Sequence, residues 1–212
     1  MALPACLEGK LSLPLIAAPM FLVSGPDLVV AACKEGIVGS FPTPNARTPE
    51  ILDEWLDEIT SKIRDVPGVA PLAANLVVHP SNTRLEDDLA LVEKYKVPLV
   101  ITALGSPRKI VERVHAYGGV VFADVNSVRF ARKAASAGVD GLVLVAAGAG
   151  GHTGNMTGFA FVPAVREFFD GTIVLGGGIG DGRAIKAAKV LGADLAYMGT
   201  NFIATEESLA HA

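Results

Sequence analysis

The sequence predicts an α/β fold, a closed (β/α)8 barrel, on three observations. Eight short apolar runs lie along the 212 residues, helical patterns separate them, and glycines gather after the last three runs. Short uninterrupted apolar runs suit strands buried on both faces, and strict alternation with helices points to right-handed βαβ units and a parallel sheet. Eight such units close on themselves, which removes both exposed sheet edges.

The first strand is expected at residues 15–18, followed by a helix at 27–35. A second strand at 37–39 precedes a helix at 49–64, where Thr48 offers a capping hydroxyl and Pro49 suits the first helical position. Trp55 falls on that amphipathic helix as packing. Strands at 72–78 and 98–103 flank a helix at 84–95; a helix at 107–117, a strand at 119–123 and a helix at 127–137 follow. The sixth strand, 141–146, leads through a glycine-rich loop to a helix at 162–169. The seventh, 172–175, leads through a second glycine run to a helix at 182–191, and the eighth is at 195–198. Gly36, Gly118, Gly138 and Gly192 stand where helices end in a left-handed residue. Residues 131–145 and 184–198 read as two copies of one unit: helix, small-residue turn, Asp, buried strand.

Residues 199–212 are too few for an eighth helix. The expectation is therefore one barrel domain over 1–212 whose final helix and C-terminal segment are missing. Either the chain continues in a longer protein, or a second subunit of a homo-oligomer covers the gap.

With 50% hydrophobic and only 19% charged residues, the chain is too apolar for a disordered tail and too poor in charge for a coiled coil. The net charge of -4 offers no general attraction to a nucleic-acid backbone or an anionic membrane. The longest apolar runs fall short of the roughly 20 residues that a bilayer requires. The N-terminus lacks a secretory pattern, and Cys6 and Cys33 make no disulfide framework, which suggests a reducing cytoplasm.

In a parallel barrel the site lies at the C-terminal ends of the strands. Gly176 to Gly182 follow the seventh strand, and Gly199 and Thr200 follow the eighth, its neighbour in a barrel. Backbone amides of both loops and the Thr200 hydroxyl can hold one phosphate at a helix N-terminus. Tight βα turns alone would account for one such loop, not two adjacent ones. After the sixth strand, His152 sits among Gly148, Gly150, Gly151 and Gly154. Imidazoles exchange protons near neutral pH, so His152 is a candidate base or substrate-orienting residue, against the plainer reading of a loop anchor. No Cys or His stands at ligand spacing from it, so no metal site is expected. His79, His115 and His211 read as structural. Pro19 and Met20 end the first strand and can present backbone or thioether to a flat ligand. Asn75 lies inside the third strand with an amide that needs partners, and Asp124 and Asn126 follow the fifth, where Asn126 can cap the next helix.

Together AAPM in the first strand, Asn75 in AANL, the GGHTG loop, the GGGIGDGRAIKAAKVLGAD run and the MGTNFIATEES ending resemble the nitronate monooxygenases, formerly called 2-nitropropane dioxygenases. The likeness covers nearly the whole chain. It implies a TIM-barrel flavoprotein oxidoreductase that holds FMN without a covalent link. Pro19, Met20 and Asn75 would contact the flavin, with Gly150 and Gly151 beside it, and Gly177, Gly178, Gly199 and Thr200 would contact its phosphate. His152 matches the family's catalytic histidine. Such enzymes oxidise alkyl nitronates with dioxygen to a carbonyl compound and nitrite; for a neutral nitroalkane the histidine first removes the α-proton.

Three departures stand out. Asp124 takes the neighbourhood where many members carry a Lys near the flavin pyrimidine, and a carboxylate there disfavours an anionic reduced flavin. Val145 and Ala146 replace the acidic or amide residues of some members, and the substrate-side segment after the eighth strand is absent. The resemblance extends to a flavin enoyl-thioester reductase of fatty acid synthesis, which would use a nicotinamide. A non-catalytic flavin-binding subunit is the reading from another class.

Overall fold

The computed structural model describes residues 3–210. The eight strands are β1 (Leu15–Ala17), β2 (Gly39–Pro42), β3 (Leu72–Val77), β4 (Leu99–Ala103), β5 (Val120–Val125), β6 (Gly141–Val145), β7 (Thr172–Gly176) and β8 (Leu195–Met198). The helices are α1 (Pro26–Lys34), α2 (Pro49–Ile63), α3 (Leu85–Lys94), α4 (Arg108–Ala116), α5 (Val128–Ala135), α6 (Gly158–Arg166), α7 (Gly182–Leu191) and α8 (Thr200–Ile203). All strand pairs are parallel, in the order β1-β8-β7-β6-β5-β4-β3-β2. The ring closes where Ile16 bridges Val38, with Ala17 N–H donating to the Val38 carbonyl at 2.8 Å. No helix is long and apolar enough to cross a membrane among the described residues.

Side chains alternate in and out along each strand. Ile16, Val38, Ala73, Leu99, Ile101, Phe122, Val143, Val174 and Leu195 fill the barrel, with Leu7 buried among them. The opposite faces, including Val100, Val121, Leu142, Leu144 and Ile173, pack under the helices.

Some local expectations change. The second strand begins at Gly39, because its ladder with β3 starts at Gly39↔Leu72; the apolar pair Ile37 and Val38 is buried at the strand's entrance. The sixth helix starts four residues early, at Gly158 rather than 162, and accommodates Pro163 internally. Among the described residues after β8 there is only a single helical turn, α8, short of a full eighth helix as their number leads one to expect. Ser127, not Asn126, caps α5, its hydroxyl accepting from Phe130 N–H at 3.4 Å.

Thr48 caps α2 by accepting from Ile51 N–H at 3.3 Å, and the four glycines expected to end helices all have positive φ. Trp55 packs edge-on against Phe41, ring centroids 5.8 Å apart. The duplicated unit has a physical meaning too. Asp140 and Asp194 occupy the same place in each copy, and each carboxylate accepts a backbone N–H from a neighbouring strand: Val121 at 2.7 Å and Ile173 at 2.8 Å. Each is held by a cationic partner or imidazole from a preceding helix, Arg166 for Asp194 and His115 for Asp140. These pins lie at the N-terminal end of the barrel, away from the site.

Candidate active site

The loop after β1 is held by a residue that sequence reasoning passed over. Asn45 is buried; its side-chain oxygen accepts from Leu22 N–H at 3.0 Å, and its amide donates to the carbonyls of Met20 (3.0 Å) and Ser24 (2.8 Å). Met20 N–H donates to Ser24 Oγ at 3.0 Å. Leu22 is thereby fixed at φ 64, in the left-handed region that a leucine seldom adopts. This framework presents Pro19 and Met20 at the barrel mouth, both half-buried. No local motif marks Asn45; only its position after β2 brings it beside the β1 loop.

Inside the mouth, Asn75 on β3, Asp124 on β5 and Tyr197 on β8 share the inward register of Ala73, Phe122 and Leu195. Asn75 is buried and its amide donates to the Ile101 carbonyl at 3.1 Å. Asp124 Oδ1 and Tyr197 Oη are sealed from solvent without hydrogen-bond partners, two of only three such buried side-chain atoms among the described residues. Burial pushes the Asp124 carboxyl up to about 7. It raises the Tyr197 hydroxyl well above its ordinary value, with the Asp124 charge adding to the rise.

The three glycine-bearing loops are tied together. Gly178 N–H donates to the Gly148 carbonyl at 3.2 Å, joining the loops after β7 and β6. Asn201 Nδ2 donates to the Gly180 carbonyl at 2.8 Å, joining those after β8 and β7. Gly177 sits at φ 130, where a Cβ would stand 2.9 Å from the Ala147 carbonyl oxygen. Gly178 has φ 69 and open space where its Cβ would be. On the neighbouring pair of strands, a Cβ on Gly199 would come within 3.3 Å of Met20 Sδ, so the β8 and β1 loops also touch.

Two groups of this cradle already have partners. The N-terminus of α7 is already served by Asp181, whose carboxylate accepts from Ala184 N–H at 2.9 Å and pairs with Arg183 at 2.8 Å. A phosphate there would meet a like charge. The Gly178 amide is also engaged, with Gly148. At the start of α8, beside Gly199, Phe202 N–H is taken by the Gly199 carbonyl at 2.8 Å, while the Thr200 and Asn201 amides have no partner among the described residues and the turn carries no acidic residue.

His152 lies at the exposed tip of the loop after β6. The loop is anchored at its base by Ala147 N–H to Met156 O (2.7 Å), Gly154 N–H to Val145 O (3.0 Å) and Thr153 Oγ1 to Ala146 O (2.7 Å). Gly150 and Gly151 flank the tip and are exposed. Of the other histidines, His79 pairs with Ser81 and His115 with Asp140, while His211 lies outside the described residues. Two clefts among the described residues, about 440 and 520 Å³, lie outside this region and are lined by residues such as Pro71 and Pro98, or Val120 and Thr172, at the strands' opposite ends.

Residues 81–212, more than half of the chain, match the family model described as nitronate monooxygenase. The chain belongs to that family. A Rhodococcus jostii relative, (3aS,4S,5R,7aS)-5-hydroxy-7a-methyl-1-oxo-octahydro-1H-indene-4-carboxyl-CoA dehydrogenase, is 29% identical over 92% of this chain and 53% of its own length. This nitronate monooxygenase family member thus spans about half the length of that relative. Among solved structures, nitroalkane oxidase from Streptomyces ansochromogenes superposes with a TM-score of 0.85 at 25% identity, over 97% of this chain and 70% of that one. FabK from Thermotoga maritima superposes with a TM-score of 0.84 at 29% identity, over 96% of this chain and 63% of that one.

Proposed function

We propose that the barrel mouth binds FMN and that the chain acts as a flavin-dependent oxidoreductase, converting alkyl nitronates and dioxygen to carbonyl compounds and nitrite. The observation that carries the reading is the tying of the β6, β7 and β8 loops into one glycine-lined rim above a lumen holding two unpartnered oxygens, Asp124 Oδ1 and Tyr197 Oη. The residues present fit the cofactor. Open backbone at Gly178 and the unpartnered Thr200 and Asn201 amides at the start of α8 suit a phosphate, and the orphaned oxygens suit a flat polar heterocycle.

Gly177, Gly178, Gly199 and Thr200 would surround the phosphate, with Gly178 contributing room and not its engaged amide. Pro19, Met20 and Asn75 would line the ring, with Gly150 and Gly151 at its edge. Bound FMN supplies the electron acceptor for the oxidation. The protein's own part is positioning and proton transfer. Asn45 fixes the β1 loop from behind, and Asn75 presents an amide whose orientation the Ile101 carbonyl sets. His152, on a loop anchored at its base and free at its tip, removes the α-proton of a neutral nitroalkane; a nitronate arrives without that proton.

A second reading has one specific support: the Rhodococcus relative, which aligns with 92% of this chain, is named for a carboxyl-CoA substrate. An acyl thioester is therefore the alternative substrate class, and reduction of an enoyl thioester by a nicotinamide coenzyme is the reaction to test, whereas that relative is named for the opposite, dehydrogenating direction. Oxygen uptake and nitrite release with ethylnitronate and propionate 3-nitronate, set against NADPH oxidation with an enoyl thioester, decide between them. Turnover of the nitronates is expected. Turnover of the thioester alone would replace the first reading with the second, and a yellow protein inert to both would make the chain a flavin-binding subunit.

A further inference from the structure

Asp124 occupies an unusual position for an acidic residue. It points into the barrel near the end of β5, in register with Val143 of β6, and its Oδ1 has neither solvent nor a partner. The side chains facing the lumen around it are Ile101 and Ala103 from β4, Val143 and Val145 from β6, Asn75 from β3 and Tyr197 from β8. None is a cation, and Tyr197 is the one titratable group among them. The helices α4 and α5 meet the other face of β5, through Val121, Ala123 and Val125. Asp124 as a whole is half-buried with Oδ1 sealed, so a carboxylate here would be a partly desolvated charge with no counter-ion.

The two protonation states recognise different ligands. An ionised carboxylate only accepts hydrogen bonds, whereas the neutral acid offers one donor and one acceptor side by side. That pair matches an edge in which an N–H adjoins a carbonyl, as in the imide of a flavin's pyrimidine ring. Against the same edge an ionised carboxylate would satisfy the N–H and set its second oxygen against the carbonyl lone pairs. The tyrosine hydroxyl in the same lumen adds a second donor.

We propose that Asp124 reads the pyrimidine edge of the flavin as a neutral carboxylic acid, its O–H donating to a ring carbonyl and its own carbonyl accepting from the adjacent imide N–H. This inference rests on the FMN reading above and adds the chemical state in which the site works. It also reverses what sequence resemblance implies: where a carboxylate in place of the family's Lys repels negative charge, a neutral acid donates a hydrogen bond. Because the free protein's carboxyl titrates at about 7, FMN binding above that pH must take up a proton, and affinity then falls by up to about tenfold per pH unit.

The test is FMN binding to the apoprotein, followed by quenching of flavin fluorescence between about pH 7 and about pH 9, where neither the flavin phosphate nor the ring titrates. Wild type is expected to weaken by about tenfold or more across the range. Asp124→Asn, which keeps a donor beside an acceptor but does not titrate, is expected to bind with a flat profile at the wild type's low-pH affinity. Calorimetry of the wild type in two buffers of different ionisation enthalpy, near the upper end of the range, is expected to show uptake of close to one proton per FMN; this arm needs no variant to fold. A flat wild-type profile, no proton uptake, or an Asn variant as steep as wild type would each overturn the proposal while leaving FMN binding intact. Failure of wild type to bind FMN at any pH would instead overturn the flavin reading itself.

Discussion

Asn201 Nδ2 donates to the Gly180 carbonyl at 2.8 Å, so the turn that opens α8 is fastened to the loop that opens α7. That bond sets the spacing of the two loops proposed to hold the phosphate. Asn201→Ala is expected to weaken FMN binding by about twofold to tenfold, the worth of one exposed hydrogen bond, with the melting temperature nearly unchanged. Unaltered affinity would mean that the loops hold their spacing without it.

Gly177 answers to a different constraint. At φ 130, with two backbone carbonyl oxygens about 3 Å from where a Cβ would stand (2.9 Å for Ala147, 3.1 Å for Ala146), alanine meets both backbone strain and a clash that cannot rotate away. Gly177→Ala is expected to cost about 1–3 kcal/mol in urea unfolding. An unchanged midpoint would show that the loop relaxes freely.

Asp124 makes stability depend on pH in an identifiable direction. Its folded-state value of about 7 lies above the roughly 3.9 of an unfolded aspartate, so between those values the folded chain holds a proton that the unfolded chain has lost. Wild-type stability therefore drops as pH rises through that window, by on the order of 4 kcal/mol in all, and levels off above it. Asp124→Asn is expected to gain on wild type steadily from about pH 4 to about pH 7 and to keep a constant margin beyond. A margin independent of pH, from parallel denaturation curves, would place the carboxyl's titration elsewhere.

For His152 the decisive comparison is between two substrates. His152→Ala is expected to retain FMN and to lose about a hundredfold or more in kcat/KM on neutral nitroalkanes, while nitronates, already deprotonated, stay near wild type. Equal losses on both, measured as oxygen uptake, would assign the imidazole to positioning instead of proton removal.

How much of this was legible beforehand varies by residue. The eight strands could be read because an apolar run buried on both faces is a local pattern. The left-handed glycines after helices, the Thr48 cap and Trp55 packing were local as well. The second strand was misplaced because apolarity marks burial, whereas strand bounds follow the ladder with β3. Asn126 and Ser127 are adjacent and equally suited to capping, and only backbone geometry selects Ser127. Asn45 was passed over because its three hydrogen-bond partners lie 21 to 25 residues away in the chain.

The amino-acid order by itself determined the barrel, the family likeness and the loops that carry glycine, because each depends on residue types at short range. Tertiary structure decided which groups are spoken for and which are left open. Asp181 consumes the helix start that composition had offered to a phosphate, and Gly148 consumes the Gly178 amide. Conversely, closure of the ring carries Asp124 and Tyr197 from distant strands into one water-poor lumen, where neither oxygen finds a partner. Desolvation is a property of that enclosure and not of any segment, so the state of the Asp124 carboxyl exists only once the eight strands have met.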